Sequence, residues 1–534
     1  MQPSTLGGLC LAILWDCGGG PPSVERILLI TIDTLRADHV GCYGAQNART
    51  SQLDTVADRG VRFEVAISPA PLTLPAHASL MTGLDPPGHG VRHNGLHRLA
   101  EEIPTLSSQL RNAGYQTGAF VGAFVLDRRF GLARGFDVYD DAMNERSSPT
   151  VGYAERPADA VVDAAIAWLG QADARFFLWV HLYDPHAAYD PPAGFRAAFA
   201  NDPYAGEIAF ADAQLGRLLD AVRQRFGDAG QLVVVTSDHG ESLGEHGELS
   251  HSYSLYDATQ RVPLLIAGEG WPAGRLIDTP VRLVDVAPTL LAAAGAAPLP
   301  GIEGADLRPL LAGGASGVPS AYLETLATHL DFGWSALFGL RTADWKYVRA
   351  PRPELYDLRA DGEELRDVAS LHPERVAALD AELARRMSGA RPTTPVTLGE
   401  AERERLRSLG YLQGDPQGAV TDLGGPDPKD EIGLLPQLAR AEELADRGRH
   451  ADALRLLRDL DASPPAVAAL RAAVAFNAGD LTTAEQDARS VLRAQPGRED
   501  VRGILRRVLA SREEPESPLP AGVQKPIVEV DPGL

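Results

Sequence analysis

The stretch RILLITID, residues 26–33, is an unbroken run of aliphatic and β-branched side chains that ends on a carboxylate. Such a run, without polar alternation, predicts a strand that is buried on both faces, as in a parallel sheet covered by helices. Similar runs recur at four further places, which are residues 118–121, 176–182, 232–236 and 262–267. Longer segments with helical periodicity separate these runs. Residues 24–395 are therefore predicted to form an α/β sheet covered by helices.

Polar residues follow three of these runs: Asp33 after the first, His181, Asp184 and His186 at the end of 176–182, and Asp238 with His239 after 232–236. In open α/β sheets, ligands bind beyond the carboxyl ends of the strands, so these ends are expected to converge on one site. Carboxylate together with imidazole suits a divalent cation such as Zn²⁺, Mn²⁺ or Mg²⁺. Taken alone, Asp33 has an ordinary alternative, because an aspartate after a strand often caps the next helix.

The segment TLPAHASLMTG, residues 73–83, predicts a helix with a hydroxyl at its N-terminus. Proline is favoured in the first helical turn, so Pro75 as the first helical residue places Thr73 just outside the helix. The free N–H groups and the dipole at this end favour an anionic group. A hydroxyl there, beside a metal, is suited to act as a nucleophile, although an ordinary N-cap is the alternative explanation.

Composition excludes several classes of protein. The 534 residues are 44% hydrophobic and 23% charged, which is ordinary for a globular protein and unlike a disordered chain or a multi-span membrane protein. The net charge of −22, without a basic stripe, argues against a nucleic-acid partner. Lysine occurs only at positions 346, 429 and 525. An anion bound by residues 1–345 would therefore be held by metal, helix dipole and histidine and not by lysine, which favours a small anion over a polyanion.

Residues 1–23 predict a signal or lipoprotein-like segment. The apolar run 6–15 is too short to span a membrane but suits a signal-peptide core, and Cys17 stands before three glycines as in lipid-modified bacterial proteins. The lack of a preceding basic residue and the presence of Asp16 favour the alternative of a wrongly assigned N-terminus. We expect an exported, periplasmic or cell-envelope protein, compatible with a lipid anchor to the membrane.

The composition changes after residue 395. Residues 396–433 are rich in Gly, Pro and Asp and predict a linker, and residues 511–534 predict a disordered tail. Between them, in 434–510, three residues recur with an offset of 31: Gly448, Ala453 and Pro465, then Gly479, Ala484 and Pro496. This spacing is similar to tetratricopeptide (TPR) repeats, which implies helical hairpins that either brace the main domain or bind a protein partner.

Seven segments of residues 24–395 together resemble the sulfatase branch of the alkaline phosphatase superfamily. In order, they are DTLRADH with GCYG (33–44), TLPAHASLMTG (73–83), HGVRHNG (89–95), DPH with YDPP (184–192), TSDHGE with GEHG (236–247), RVP (261–263) and ELYDL (354–358). The resemblance implies a metal-dependent ester hydrolase. The implied fold is an alkaline phosphatase/sulfatase-like α/β sheet with a smaller C-terminal subdomain, followed here by the all-α TPR-like tail.

The resemblance also assigns roles to residues. The implied ligands of one divalent metal (Zn, Mn, Mg or Ca) are Asp33, Asp238, His239 and the oxygen of Thr73. A second metal would need another ligand set, for which Asp184, His181 and His246 are available without a matching pattern. The implied catalytic residues are Thr73 as nucleophile, His186 as donor to the leaving alcohol and His251 as a group that stabilises charge. The implied substrate-binding residues are Asn94 and His77.

The departures from the family pattern shape the functional expectation. Sulfatases have Cys or Ser, converted to formylglycine, where Thr73 stands, Arg where His77 stands, and a metal aspartate where Thr34 stands. The β-carbon of threonine carries a methyl group, so it cannot give that aldehyde. A phosphorylated threonine can instead be cleared by water with metal assistance. We therefore expect hydrolysis of a phosphodiester, phosphonate ester or phosphomonoester through a phosphothreonine at Thr73. The alternatives are a sulfatase acting on sulfuric esters, a phospho-alcohol transferase, and an inactive binding protein that works through its repeats.

Overall fold

The computed structural model describes residues 24–143, 147–148, 151–154, 156–314, 320–399, 402–403, 406, 424–460 and 464–512. The predicted signal-like segment 1–23, most of the predicted linker and the tail from residue 513 lie outside these residues. Within the part of the chain described, no helix combines the length and the apolar character needed to cross a membrane.

The strands are β1 (Arg26–Ile32), β2 (Gly60–Ile67), β3 (Gln116–Val121), β4 (Val138–Asp140), β5 (Ser147–Ser148), β6 (Val151–Ala154), β7 (Phe176–Leu182), β8 (Gln231–Thr236), β9 (Arg261–Gly268), β10 (Arg275–Ile277), β11 (Val281–Arg282), β12 (Ser320–Thr325), β13 (Leu337–Thr342), β14 (Trp345–Arg349) and β15 (Glu354–Asp357). The helices are α1 (Ser51–Arg59), α2 (Thr73–Thr82), α3 (Pro86–His89), α4 (Leu106–Asn112), α5 (Ala158–Leu169), α6 (Ala193–Ala198), α7 (Pro203–Phe226), α8 (Asp257–Gln260), α9 (Val286–Ala293), α10 (Ala327–Phe332), α11 (Pro373–Met387), α12 (Pro428–Glu431), α13 (Leu435–Asp446), α14 (His450–Arg458), α15 (Pro465–Asn477), α16 (Leu481–Ala494) and α17 (Glu499–Ser511).

A nine-stranded sheet forms the centre of the molecule, in the order β10-β2-β9-β8-β1-β7-β3-β4, with β11 also paired to β2. β1 lies between β7 and β8 and runs parallel to both. Every residue of β1 and of β7 is buried, as their unbroken apolar sequences predict for strands covered on both faces. The five strands predicted from the sequence are confirmed, with ends that differ from the predicted ones only slightly.

Hydrophobic cores lie on both faces of this sheet. Because successive side chains of a strand point to opposite faces, Ile27 and Leu29 enter one core while Leu28 and Ile30 enter the other. The first core is closed by α2, α4 and α9, and the second by α1, α5 and α7. This packing fixes the start of α2 over the carboxyl end of β1.

A second, antiparallel sheet, β12-β13-β14-β15, forms the smaller C-terminal subdomain that the sequence predicts. Helix α11 packs on it through Leu379 and Leu383. The fold is therefore a mixed α/β structure with a large central sheet and a small additional one.

The helices α13 to α17 pack against one another around a core of their own. The repeated alanines, Ala453 and Ala484, are both fully buried there, and the repeated glycines, Gly448 and Gly479, both have positive φ, at 72° and 80°. The same core includes Phe332, the last residue of α10, and Trp334, just after it, which join these helices to the rest of the described chain. The helical content agrees with the sequence, and the assignment to TPR repeats stays a prediction.

Candidate active site

Asp33, Asp238 and His239 meet because β1 and β8 are neighbours and each residue follows the carboxyl end of its strand. The Nε2 atom of His239 lies 3.6 Å from Oδ1 of Asp33 and 3.4 Å from Oδ2 of Asp238. All three side chains are almost completely buried. The convergence of strand ends expected from the sequence is thus present in the structure.

The ring orientation of His239 is set by the backbone. Its Nδ1 atom lies 3.0 Å from the carbonyl oxygen of Gly240, which can only accept a hydrogen bond, so Nδ1 carries the proton. The lone pair of Nε2 then faces the two carboxylates. A histidine whose other nitrogen donates to a carbonyl in this way is typically arranged to ligate a metal.

Thr73 is the first residue of α2, preceded by Leu72 in an extended conformation. The helix begins two residues earlier than Pro75 alone predicts, so the hydroxyl belongs to the first turn itself. Oγ1 of Thr73 lies 3.4 Å from Nε2 of His239. Beside it, Asn94 accepts a hydrogen bond from the backbone N–H of Leu74 through Oδ1, at 2.8 Å, while its Nδ2 is buried without a partner among the described residues.

The cluster fits a divalent cation. Both carboxylate oxygens of Asp33 and Oδ2 of Asp238 are buried and have no hydrogen-bond partner in the described part of the chain. Burial, with Asp238 beside it, raises the pKa of Asp33 well above its ordinary value, which is the cost of an unpaired interior charge. One ligand atom each from Asp33, Asp238 and His239 lie within 4.8 Å of one another. A cation held by these three residues would pair with both carboxylates.

His77 and His181 lie on the inner side of this cluster and are fully buried. Nδ1 of His77 donates to the carbonyl oxygen of Thr73 at 2.8 Å, and its Nε2 accepts from the hydroxyl of Thr31 at 3.0 Å. Thr31 in turn accepts from Nε1 of Trp179 at 3.1 Å. This chain of bonds links the sheet to the backbone of Thr73, so His77 holds the peptide of Thr73 in place.

His181 has neither ring nitrogen hydrogen-bonded among the described residues, and its Nε2 lies 3.4 Å from Oδ2 of Asp33. His77, His181 and Asp238 also place one ligand atom each within 4.8 Å of one another. A metal there would use the His77 nitrogen that already donates to Thr73, which favours the first cluster as the cation site.

His186 and His251 line the outer side of the cluster. The ring centroid of His251 lies 4.5 Å from that of His239 and 5.1 Å from that of His186. Nδ1 of His186 donates to the carbonyl oxygen of Ala187 at 2.6 Å, and its buried Nε2 has no partner among the described residues. Burial lowers the pKa to about 3 for His186 and to about 4 for His251, so both rings are neutral at pH 7.

Comparison with known proteins places this geometry in a family. The family model described as "Sulfatase" matches residues 25–296, which is more than half of the chain, and the model for the C-terminal region of N-sulphoglucosamine sulphohydrolase matches residues 244–392. The chain belongs to the sulfatase family. The matched residues include every candidate site residue predicted above, from Asp33 to His251.

Relatives from the sulfatase family and similar solved structures differ in their named activity and in the share of this chain that they cover. The chain is 25% identical over 425 residues to an uncharacterized sulfatase of Escherichia coli, YidJ, covering 64% of this chain and 82% of that protein. It is 27% identical over 468 residues to mouse steryl-sulfatase, covering 63% and 74%. Among solved structures, a phosphonate monoester hydrolase of Agrobacterium radiobacter shares the fold with a TM-score of 0.59 at 22% identity, covering 69% of this chain and 96% of that one.

Asp184 and His246, two of the residues available for a second metal in this sulfatase-family site, have other surroundings. Asp184 accepts from the backbone N–H of Ala158 at 2.8 Å, at the start of α5. His246 stacks on Tyr256 with centroids 3.6 Å apart. Thr34, at the position of a sulfatase aspartate, is buried at the edge of the cluster with its hydroxyl unpartnered among the described residues.

The sequence reasoning missed Glu241 and Thr31. Glu241 is fully buried and lies 3.2 Å from Nδ1 of His251, which it orients. Its place three residues after Asp238 was a usable signal. Thr31 was also identifiable, because it is the polar residue inside an otherwise aliphatic strand.

Proposed function

We propose that the chain hydrolyses a small anionic ester by attack of Thr73, at a site in which Asp33, Asp238 and His239 hold one divalent cation. The observation that carries this proposal is the position of the Thr73 hydroxyl, at a helix N-terminus and 3.4 Å from the His239 nitrogen that faces two unpartnered carboxylates. When bound, the cation would supply Lewis acidity that lowers the pKa of a hydroxyl and orients the ester.

The surrounding residues support the same reaction. The N-terminus of α2 offers N–H groups to an anionic centre, and Asn94 fixes the first turn while its unpartnered amide is free to donate to a substrate oxygen. His77 holds the peptide of Thr73 from the interior. Glu241 orients the ring of His251, which lies beside His239.

His186 is the candidate partner of the leaving alcohol. Because its Nδ1 proton is bonded to Ala187, the neutral ring presents the Nε2 lone pair to the site. Donation to a leaving alcohol requires the doubly protonated ring, and the negative charge of a bound ester would favour that form. The same ring in its neutral form accepts a proton from the water that clears the enzyme-bound intermediate.

The chemistry of Thr73 favours esters of phosphorus. A phosphothreonine can be cleared by water attacking at phosphorus, whereas a sulfated simple alcohol lacks the elimination route that an aldehyde hydrate provides. A phospho-alcohol transferase would use the same intermediate with an alcohol in place of water.

Hydrolysis of sulfuric esters is the second candidate, and the comparisons favour it. The matching family models and the curated relatives carry sulfatase names, while one similar structure is a phosphonate monoester hydrolase. A sulfatase with an unmodified threonine would need water to clear the sulfated enzyme.

The test compares 4-nitrophenyl phosphate, a bis-aryl phosphodiester, an aryl phosphonate and 4-nitrophenyl sulfate on metal-analysed protein. Thr73→Ala should lower turnover by at least about 10³-fold while Thr73→Ser keeps measurable activity. Mass spectrometry of the peptide that contains Thr73, after acid quench, should show the covalent adduct. Full activity of Thr73→Ala would overturn the nucleophile assignment. Turnover of the sulfate ester alone would show that the substrate is a sulfuric ester and not an ester of phosphorus.

Two further expectations remain proposals. Export to the cell envelope rests on residues 1–23, and binding of a protein partner rests on the repeat pattern of 434–510. Cell fractionation of the full chain tests the first, since recovery in the cytoplasmic fraction would contradict it. Co-purification from the native envelope tests the second.

A further inference from the structure

A cavity of about 350 Å³ lies between the candidate active site and the C-terminal helices. One wall carries His186 and His251, and the opposite wall carries Leu438 of α13 and Leu470 of α15. These two walls are therefore supplied by parts of the chain that lie about two hundred residues apart. The volume is within the range of small-molecule binding sites.

Two residues of the candidate active site, His186 and His251, line this cavity. His186, the candidate proton donor to the alcohol, presents an unpartnered Nε2, and its ring stands 5.1 Å from His251, which itself adjoins the metal ligand His239. The Thr73 hydroxyl lies 3.4 Å from Nε2 of the same His239. An ester centred at the metal site would thus place its alcohol portion past His186 and into the cavity.

The C-terminal wall is held firmly against the catalytic part. Phe332 lines the cavity and stacks on Trp334 at 4.4 Å, and both residues belong to the hydrophobic core of α13 to α17. The backbone N–H of Ser335 donates to the carbonyl of Pro426 at 2.8 Å, ahead of these helices. Because the contact is a shared core, the cavity is a fixed feature of the fold.

The lining specifies the chemistry of its occupant. Leucine, alanine and aromatic side chains predominate, including Leu249, which is 59% exposed at the cavity's edge. None of the described lining residues is Lys or Arg, and its carboxylates are Glu248 and Glu442. An anionic alcohol portion would be repelled there, while an apolar one would be removed from water.

We infer that this cavity binds the alcohol portion of the substrate, an uncharged and mainly apolar alcohol, and that α13 and α15 determine substrate specificity. The inference rests on the proposed function for the identity of the bond that is cleaved. It assigns to the C-terminal helices a role in the chemistry of the site, beyond bracing or partner binding. Ala439 is exposed on α13 and lines the cavity, so a larger side chain there would narrow it without disturbing the core.

The experiment uses the full chain with Ala439→Trp and, as matched control, Gln437→Trp. Gln437 is exposed on the same helix, two positions away, and outside the cavity lining. Values of kcat/KM are measured for methyl, phenyl and 2-naphthyl esters of one oxyanion, and for its choline ester. Ala439→Trp should lower kcat/KM for the naphthyl ester at least about tenfold and leave the methyl ester within about twofold, while Gln437→Trp changes neither.

Binding of 2-naphthol alone, followed by its fluorescence, gives a readout that does not depend on turnover. Wild-type protein and Gln437→Trp should bind it, and Ala439→Trp should bind it at least about tenfold more weakly. Equal losses on all esters, or equal naphthol binding by all three proteins, would overturn the inference. A preference for the choline ester over the naphthyl ester would refute the inference that the alcohol bound in the cavity is uncharged. If no ester is hydrolysed, the proposed function fails, and the naphthol measurement still decides the cavity's role.

Discussion

Replacing Asp33 by Asn should stabilise the metal-free protein. Asp33 is fully buried, neither carboxylate oxygen has a hydrogen-bond partner among the described residues, and Asp238 lies beside it. An unsatisfied buried group costs about 1–3 kcal/mol, and more when it is charged. Since Asn removes the charge at nearly constant volume, we expect the free energy of unfolding without metal to rise by about 2 kcal/mol.

The same substitution should remove the stabilisation by metal. At a free metal concentration of about 100 times Kd, binding adds about 2.7 kcal/mol to the stability of the wild type. Asp33→Asn loses a charged ligand, so its gain at that concentration should fall below about 1 kcal/mol. The two proteins should therefore exchange their order of stability when EDTA is replaced by Zn²⁺ or Mn²⁺.

Urea unfolding, followed by tryptophan fluorescence with EDTA and with each metal, measures both effects. Asp212→Asn is the matched control, because Asp212 is also a buried carboxylate but accepts from the N–H groups of Gln52 at 3.1 Å and Leu53 at 2.9 Å. That variant should lose about 1 kcal/mol with or without metal. A loss of stability in metal-free Asp33→Asn, or a metal response equal to that of the wild type, would refute the electrostatic argument for the cation site.

Two further predictions concern the walls of the cavity. Trp334→Ala should destabilise the contact with the C-terminal helices by about 3–5 kcal/mol and speed their proteolysis, because Trp334 is fully buried in the shared core. The control, Leu371→Ala, changes a side chain that is 71% exposed and should alter stability by less than about 0.5 kcal/mol. Equal protease resistance of the two variants would contradict the shared core. Burial raises the pKa of Glu248 to about 7, so the folded state holds a proton that the unfolded state releases near pH 4.5, and stability should fall by up to about 3 kcal/mol as the pH rises from 4.5 to 7. Glu248→Gln should flatten this part of the stability profile measured by urea unfolding, and an unchanged slope would show that another group is responsible.

Local sequence patterns predicted the central strands of the large sheet but not a strand near its edge. The strands around β1 were predictable because each is a continuous apolar run, which two-sided burial requires. Strand β2 was not predicted, since Arg62 and Glu64 interrupt its pattern. Near the edge of the sheet, charged side chains can reach solvent, so a strand there need not have a continuous run of apolar residues.

In the candidate site, too, some features were predictable from the sequence and others were not. The residues at strand ends were predictable because parallel strands bring their carboxyl ends to one edge. The bonds from Trp179 through Thr31 to His77 were not, since they join distant segments by side-chain geometry that no local pattern encodes. The cavity wall formed by α13 is a long-range contact of the same kind.

The shared cavity separates two properties that many enzymes encode together. The groups proposed to break the bond lie within residues 33–251, while seven of the eighteen residues that line the cavity lie on two helices near the end of the chain. Exchange of those helices for another set that fits Phe332 and Trp334 would change the accepted ester and leave the reaction intact. On the proposed function, the residues that react and the helices that recognise the alcohol would thus be distinct parts of one chain, free to vary independently.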